Sequence, residues 1–264
     1  MKKALSLLLC LVMVLSLTAC GNSSTEVTQT TSETAKTTQE TQKTDPTEEP
    51  TPEPTAEPKP ITEVELTSGG VRIWKNSIGS YWQQAIVEIE NTGETNIYFN
   101  DASYDVEDDA GNMIETEKYV TIYPQIIAPG EKAYLYHETT SDHEHEGYYT
   151  ILPYIEYAQA SVDLVRYPIS DVTFNPGDYE TINIKGRVEN NTDAEITYTY
   201  VVALLFDETD NMIGHTFTIL TEKIAPGTKM GFEMQDFSMP DDIEFDDIVR
   251  CEIYAYPNQY QFSF

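Results

Sequence analysis

The chain has 264 residues, with 15 Lys and Arg against 45 Asp and Glu, and its formal net charge at pH 7 is -30. A surface this acidic repels phosphate backbones, which argues against nucleic-acid binding. Of three cysteines, only Cys251 lies beyond residue 20, so no disulfide is expected within the rest of the chain.

The first 19 residues have the pattern of a signal peptide. Two lysines precede an apolar run, Ala4–Leu17, which is too short for a comfortable membrane span. The run ends in Leu17-Thr18-Ala19-Cys20, which resembles the lipobox of bacterial lipoproteins. The resemblance implies cleavage before Cys20 and a diacylglycerol on its thiol. We therefore expect an extracytoplasmic protein, anchored by this lipid to the outer face of the cell membrane.

Residues 20–60 are expected to form a disordered linker. Thr, Glu, Ser, Gln and Pro dominate this segment, and it has almost no large apolar side chains. Nothing in it offsets the entropy lost on ordering, while its prolines favour extended conformations. The linker would lift the rest of the chain away from the lipid, as expected in the wall of a Gram-positive bacterium.

The remaining sequence is built from a repeat. Asn190 follows Asn91 by 99 positions, in Val188-Glu189-Asn190 and Ile89-Glu90-Asn91, and Asn-Met-Ile recurs at the same spacing. Ala-Pro-Gly also occurs in both segments. A fixed spacing of this size indicates duplicated domains. We expect domain 1 over residues 61–165 and domain 2 over residues 166–264, and we call them the first and second copies.

Both copies show the pattern of antiparallel strands. Apolar side chains alternate with polar ones at Ala85, Val87 and Ile89, and similarly over 182–188, which predicts strands with one buried face. Turn sequences rich in Asp, Asn and Gly separate these segments, and no stretch keeps a helical period. The prediction is an all-β fold of two tandem immunoglobulin-like antiparallel β-sandwiches.

The second copy resembles a known domain family. Ala203-Leu204-Leu205-Phe206-Asp207, placed between Val188-Glu189-Asn190 and Ile224-Ala225-Pro226-Gly227, is similar to the FxLYD domain of bacterial surface lipoproteins. Ala203 and Phe206 depart from the family pattern, and the first copy departs further, with Tyr104-Asp105-Val106-Glu107-Asp108. The resemblance implies a sandwich in an extracytoplasmic lipoprotein and supplies no catalytic residues.

An insertion in the first copy is the candidate ligand surface. It carries both tryptophans, Trp74 and Trp82, with Tyr81 beside the second. Aromatic rings stack on sugars and on peptide side chains, so these three residues are candidates for ligand binding. The alternative is an extra strand whose tryptophans cover an edge of the sandwich.

Two acidic segments are candidates for metal binding. Asp142, His143 and His145 have side chains of the right type for a divalent transition metal, although their spacing matches no zinc motif. Acidic turns at Asp105–Gly111 and Asp241–Asp247 have carboxylates that calcium favours, but they lack the full pattern of a calcium loop. Solvated acidic loops, which need no metal, are the interpretation that we favour for both segments, and we expect no cofactor.

No catalytic motif is found. The sequence has no G-x-S-x-G, H-E-x-x-H or C-x-x-C and no phosphate-binding glycine loop. We therefore expect a non-enzymatic surface lipoprotein that binds or adheres, with a cell-wall glycan or another surface protein as partner. A structural spacer or accessory subunit of an envelope complex is the first alternative, and a wall-acting hydrolase is the second.

Overall fold

The computed structural model describes residues 60–177, 181–236, 239–240 and 243–258, so the predicted signal peptide, Cys20 and nearly all of the linker lie outside it. The described chain is all-β with antiparallel pairing, as predicted, and its single helical element is a 3-10 turn at Phe245–Asp247. No helix in this part of the chain is long and apolar enough to cross a membrane.

Fourteen strands run through the described residues. The first copy contains β1 (Val64–Lys75), β2 (Tyr81–Asn91), β3 (Ile97–Glu107), β4 (Met113–Lys118), β5 (Thr121–Tyr123), β6 (Ile126–Ile127), β7 (Lys132–Thr140) and β8 (Gly147–Gln159). The second copy contains β9 (Ile169–Pro176), β10 (Ile182–Glu189), β11 (Thr199–Phe206), β12 (Met212–Leu220), β13 (Lys229–Asp236) and β14 (Arg250–Pro257).

The strand orders of the two copies correspond. The second copy has two three-stranded sheets, β12-β11-β14 and β13-β10-β9. Their counterparts in the first copy are β4-β3-β8 and β7-β2-β1, but here both belong to one eight-stranded sheet, β4-β3-β8-β1-β2-β7-β5, with β6 paired to β3. Apolar side chains from both groups of first-copy strands meet in one core, so the sheet curls around it.

The insertion explains why the first copy has a continuous sheet. It lengthens the hairpin of β1 and β2, and the added end of β1 reaches β8, where Val71 pairs with Tyr149 and Ile73 with Gly147. In the second copy β9 is shorter and does not pair with β14. The inserted residues therefore join two sheets that stay separate in the second copy.

A buried asparagine fixes the same turn in each copy. Asn91 Nδ2 donates to the carbonyls of Thr95 and Ile127, at 2.9 and 3.2 Å. Asn190 Nδ2 makes the same two bonds, to Ala194 at 2.7 Å and Ile224 at 2.8 Å. Both asparagines are fully buried. Buried carbonyls need donors, so this shared amide explains why Asn recurs at the repeat spacing.

The recurring Asp and Asn of the hairpin turns are also structural. Asp108 Oδ1 accepts the backbone N–H of Asn112 at 2.8 Å, and Asp207 Oδ1 accepts that of Asn211 at 2.9 Å. Hydrogen bonds from the side chain and the backbone of Asn112 hold the pKa of Asp108 below its usual value. Burial raises the pKa of Asp207, but the hydrogen bonds from Asn211 and Thr209 outweigh it and keep this pKa lowered as well. Both hairpins also contain a register shift at the same place, after Val106 and after Leu205. The carboxylates thus close the turns.

The two copies pack against each other through β11. Every residue of Thr199–Phe206 is buried, because alternate side chains enter different cores. Leu205 packs inside the second copy, whereas Leu204 and Phe206 pack against aromatic residues of the first. The rings of Tyr134 and Phe206 lie edge to face, with centroids 5.4 Å apart. The copies therefore share a third apolar core.

The connection between the copies contributes to this packing. The guanidinium of Arg166 donates to the carbonyl of Ile126 in the first copy and lies over the ring of Tyr256 in the second, 5.6 Å from its centroid. The next residue, Tyr167, is buried, and its N–H donates to the carbonyl of Ala255 at 2.8 Å. The short connection is thus fixed to both copies.

The packing pattern stops at the outer sheet of the second copy. Ile86 and Tyr136, adjacent across β2 and β7, face β11 and β12, but their counterparts on β10 and β13 are Lys185 and Glu233. These two form an exposed ion pair at 3.1 Å. A head-to-tail interface can in principle repeat indefinitely, and charged residues at this position remove the apolar surface that another copy would need.

Candidate functional site

The outer surface of β3, β4 and β8 is the candidate functional site, and we call it the open face. The inner side chains of these strands, among them Tyr104 and Val106, pack in the first core, so alternate residues point outward. The open face consists of Asp101, Ser103, Asp105, Glu107, Met113, Thr116, Lys118, Tyr148, Thr150, Leu152, Tyr154 and Glu156.

The open face carries exposed aromatic and apolar side chains. Tyr148 is 80% exposed, Met113 65%, Tyr154 55% and Leu152 37%. Tyr148 lies at its margin, where the Arg72 guanidinium is 5.9 Å from the ring centroid. Large side chains that could pack but remain uncovered are typical of binding surfaces when they share one face.

The corresponding face of the second copy is the one buried against the first copy. At the repeat spacing, the counterparts of the four outward residues of β3 in the second copy have larger or apolar side chains. Asp101, Ser103, Asp105 and Glu107 correspond to Tyr200, Val202, Leu204 and Phe206, respectively. All four of these residues are buried. The same sheet surface is therefore used for packing in one copy and left polar and uncovered in the other.

Asp105 lies at the centre of the open face and is held in place. Its Oδ1 accepts the Thr116 hydroxyl at 2.7 Å, and its Oδ2 accepts the Tyr154 hydroxyl at 3.1 Å. The bond to the carboxylate raises the pKa of Tyr154, because the phenol is stabilised in its protonated form. A fixed carboxylate beside an exposed ring can bind a partner without first losing side-chain freedom.

A pair of like charges lies at one end of the open face. Asp101 on β3 is directly opposite Glu156 on β8. Oδ1 of Asp101 accepts the N–H of Ala102 at 2.9 Å. Like charges at directly opposed positions destabilise a sheet, so this pair is a local cost to the fold.

The structure places the three aromatic residues predicted to bind ligand close together, but with different burial. Trp74 is buried, with 6% exposure, so its ring face is not offered to a ligand. Trp82 is directly across from Trp74 on β2 and is partly buried. Tyr81 is also partly buried, and Lys75 Nζ lies 5.0 Å from the centroid of its ring. All three residues lie on the hairpin of β1 and β2, so the insertion lengthens these two strands.

The predicted transition-metal residues lie in the loop between β7 and β8. The rings of His143 and His145 are adjacent, with centroids 5.1 Å apart. The Tyr149 hydroxyl donates to the His145 carbonyl at 2.9 Å and therefore accepts from His143 Nε2 at 3.1 Å. Asp142 does not complete a site, since no group of three His, Cys, Asp or Glu in the described chain is arranged to hold a metal ion.

The acidic turns suggested for calcium have other roles or lie partly outside the described residues. Asp108 closes its hairpin, as shown above, and Asp247 Oδ2 accepts the N–H of Glu244 at 2.8 Å in the 3-10 turn. Asp241 and Asp242 are outside the described residues. Asp108 and Asp247 thus serve local backbone structure, whereas Asp105 and Glu107 lie on the open face.

Cys251 contributes to the core of the second copy. Its side chain is partly buried against that core, and burial raises the pKa of the thiol to about 12, with Glu252 adding to the effect. A thiol with so high a pKa has little of the reactive thiolate near neutral pH. The side chain therefore acts as a small apolar group.

A cleft of about 390 Å³ lies where the copies meet. Arg72, Glu88 and Tyr134 of the first copy and Asp207 and Ile213 of the second are among its lining residues. Glu88 is held by Lys132 at 2.7 Å and by the Tyr134 hydroxyl at 3.1 Å, and Asp207 closes its turn. The charged groups of the cleft are thus largely committed to the fold.

Comparison with known proteins finds no matching family model and no matching curated protein.

The open face was missed by sequence reasoning, although a signal for it exists. On β3 the repeat replaces the apolar residues of β11 with Asp, Ser, Asp and Glu.

Proposed function

We propose that this chain is a non-enzymatic surface lipoprotein with two packed copies, anchored through lipid at Cys20 to the outer face of a Gram-positive cell membrane, and that its first copy presents the open face to a partner. The lipobox resemblance and the Thr- and Pro-rich linker support the location. The two copies are taken as immunoglobulin-like sandwiches related to the FxLYD domain. A cell-wall glycan or another surface protein is the class of partner.

One observation carries this proposal. The sheet surface that is covered in the second copy is uncovered in the first, where it keeps exposed Tyr148 and Tyr154 around the fixed carboxylate of Asp105. Packing of the two copies through β11 supports the proposal further, because a fixed pair holds the open face in one orientation relative to the second copy.

Binding is tested with isolated cell walls that retain their proteins. The full chain carrying Cys20→Ser, which cannot take the lipid, is mixed with walls, and the retained fraction is measured. We expect Tyr148→Ala with Tyr154→Ala to lower retention several-fold. A matched control, Tyr119→Ala with Tyr198→Ala, removes two exposed tyrosines outside the open face and should retain the wild-type level. Equal retention of both double variants would favour the spacer alternative.

The location has a separate test. Cells expressing the wild-type chain should incorporate a labelled fatty acid into it and keep it in the membrane fraction. Cys20→Ser should remove the label and release the chain from that fraction. Retention of the label in the Cys20→Ser variant would contradict lipid attachment at this residue.

A further inference from the structure

We propose that the open face binds a cationic protein segment, with basic side chains at alternate positions of an extended chain. This inference rests on the proposed function and names the chemistry of its partner. Four carboxylates, of Asp101, Asp105, Glu107 and Glu156, point from this face, against the positive charges of Lys118 and, at its margin, Arg72. An extended cationic chain is complementary to that arrangement.

The spacing of the carboxylates favours an extended chain over a single ion. Asp105 and Glu107 are two residues apart on β3, which places their side chains about 7 Å apart along the strand. Basic residues at alternate positions of an extended peptide have the same repeat. A bound calcium ion would instead need several oxygens within about 2.5 Å of one point, and no described group of acids converges in this way.

The like-charge pair gives an independent reason. Asp101 and Glu156 are opposite each other, in a position where their repulsion costs stability. Their counterparts by register are Tyr200 and Tyr256, whose rings pack with centroids 5.4 Å apart. A basic side chain placed between the two carboxylates would convert the repulsion into two attractions.

The exposed tyrosines fit the same partner. Tyr148 and Tyr154 expose ring surface beside the carboxylates, and aromatic faces attract Lys and Arg within about 6 Å. Arg72 already lies near the Tyr148 ring at 5.9 Å, so this ring accepts a cation within the chain itself. An anionic wall polymer would be repelled by the same surface.

The test uses a fluorescent nine-residue peptide with lysine at alternate positions, at low salt. The full chain carrying Cys20→Ser should bind it, and addition of Asp101→Asn with Glu156→Gln should weaken binding about tenfold, as expected for two exposed ion pairs. The matched control, Asp193→Asn with Glu222→Gln, removes two exposed carboxylates from the second copy and should change binding less than twofold. Asp101→Asn with Glu156→Gln should also unfold at an equal or higher temperature, which shows that weaker binding does not come from misfolding.

Two results would overturn this inference, and both can be distinguished from the result that would overturn the proposed function. If both double variants weaken binding equally, the peptide senses only net charge. If the peptide does not bind, while Tyr148→Ala with Tyr154→Ala still lowers retention on cell walls, the open face binds a partner of other chemistry, such as a glycan. The proposed function itself fails if wall retention is independent of the open face.

Discussion

Adjacent leucines on β11 allow the packing of the two copies to be measured. Leu204 faces the first copy and Leu205 faces the core of the second, and both are fully buried. Replacement of a buried leucine by alanine removes apolar contacts and leaves a cavity, at a cost of about 2–5 kcal/mol. Because β11 is the central strand of its sheet, neighbouring strands limit collapse around either site.

We therefore expect Leu204→Ala and Leu205→Ala each to lower the free energy of unfolding by about 3 kcal/mol. Leu152→Ala, on the open face and 37% exposed, is the control and should cost less than about 1 kcal/mol. Urea unfolding followed by tryptophan fluorescence and circular dichroism gives the three values. The tryptophans lie in the first copy, so fluorescence also reports whether a change in the second copy reaches the first.

If the copies do not pack against each other, the two leucine replacements should differ in their effect on stability. In that case Leu204 would face solvent, and its replacement would change stability by no more than about 0.5 kcal/mol, while Leu205→Ala would still cost the full amount. A small effect at Leu204 beside a large effect at Leu205 would refute the shared core.

Three further outcomes follow from single side chains. Burial lowers the pKa of His215 to about 4, below its unfolded value of about 6.5. The folded state therefore favours the neutral ring, and the stability that depends on this ring is complete above pH 6.5 and is lost as pH falls towards 4. His215→Phe removes this loss, so acid unfolding should occur at lower pH in that variant. Asn91→Ala and Asn190→Ala should each lower the free energy of unfolding by about 1–3 kcal/mol, because each leaves two carbonyls without their donor. Thermal unfolding measures both values, and very unequal losses would contradict equivalent roles. Cys251 should react with iodoacetamide far more slowly in the folded chain than in urea, and equal rates would contradict its burial.

Local features of the fold could be predicted from the sequence because their signals are local. The alternation around Ala85–Ile89 indicates a strand with one buried face, and Ala85, Val87 and Ile89 do enter the first core. The expectation that the other face is wet was wrong, because Gln84 is buried and Ile86 packs against the second copy. The repeated Asn91 and Asn190 indicate equivalent turns, and both make the same pair of carbonyl bonds. Such residues interact with backbone a few positions away or in the neighbouring turn, so their type and spacing are sufficient.

Contacts between the copies could not be predicted in the same way. Tyr134 and Tyr136 have the spacing of outward-facing strand residues, and tyrosine is common on both wet and buried surfaces. The clearest signal was Thr199–Phe206, where apolar residues occupy successive positions, as in strands buried on both faces. The sequence does not say which surface covers the second face.

The tryptophans of the insertion show a related difficulty. Trp74 and Trp82 are adjacent across a hairpin, yet Trp74 is buried and Trp82 only partly buried, a difference that their sequence spacing does not indicate. The open face could not be predicted because acidic residues are common throughout this chain, so those on β3 do not stand out in the sequence. Their meaning emerges only from comparison with the buried counterparts on β11.

The most direct test of the central claim is an NMR measurement of ring contacts between the copies. Tyr134 and Phe206 belong to different copies, and their ring centroids are 5.4 Å apart. The packed arrangement predicts nuclear Overhauser cross-peaks between their ring protons in the full chain carrying Cys20→Ser, and their loss in Phe206→Leu. Absence of these cross-peaks from a folded wild-type sample would contradict the packing of the copies and, with it, the contrast between the covered and open faces.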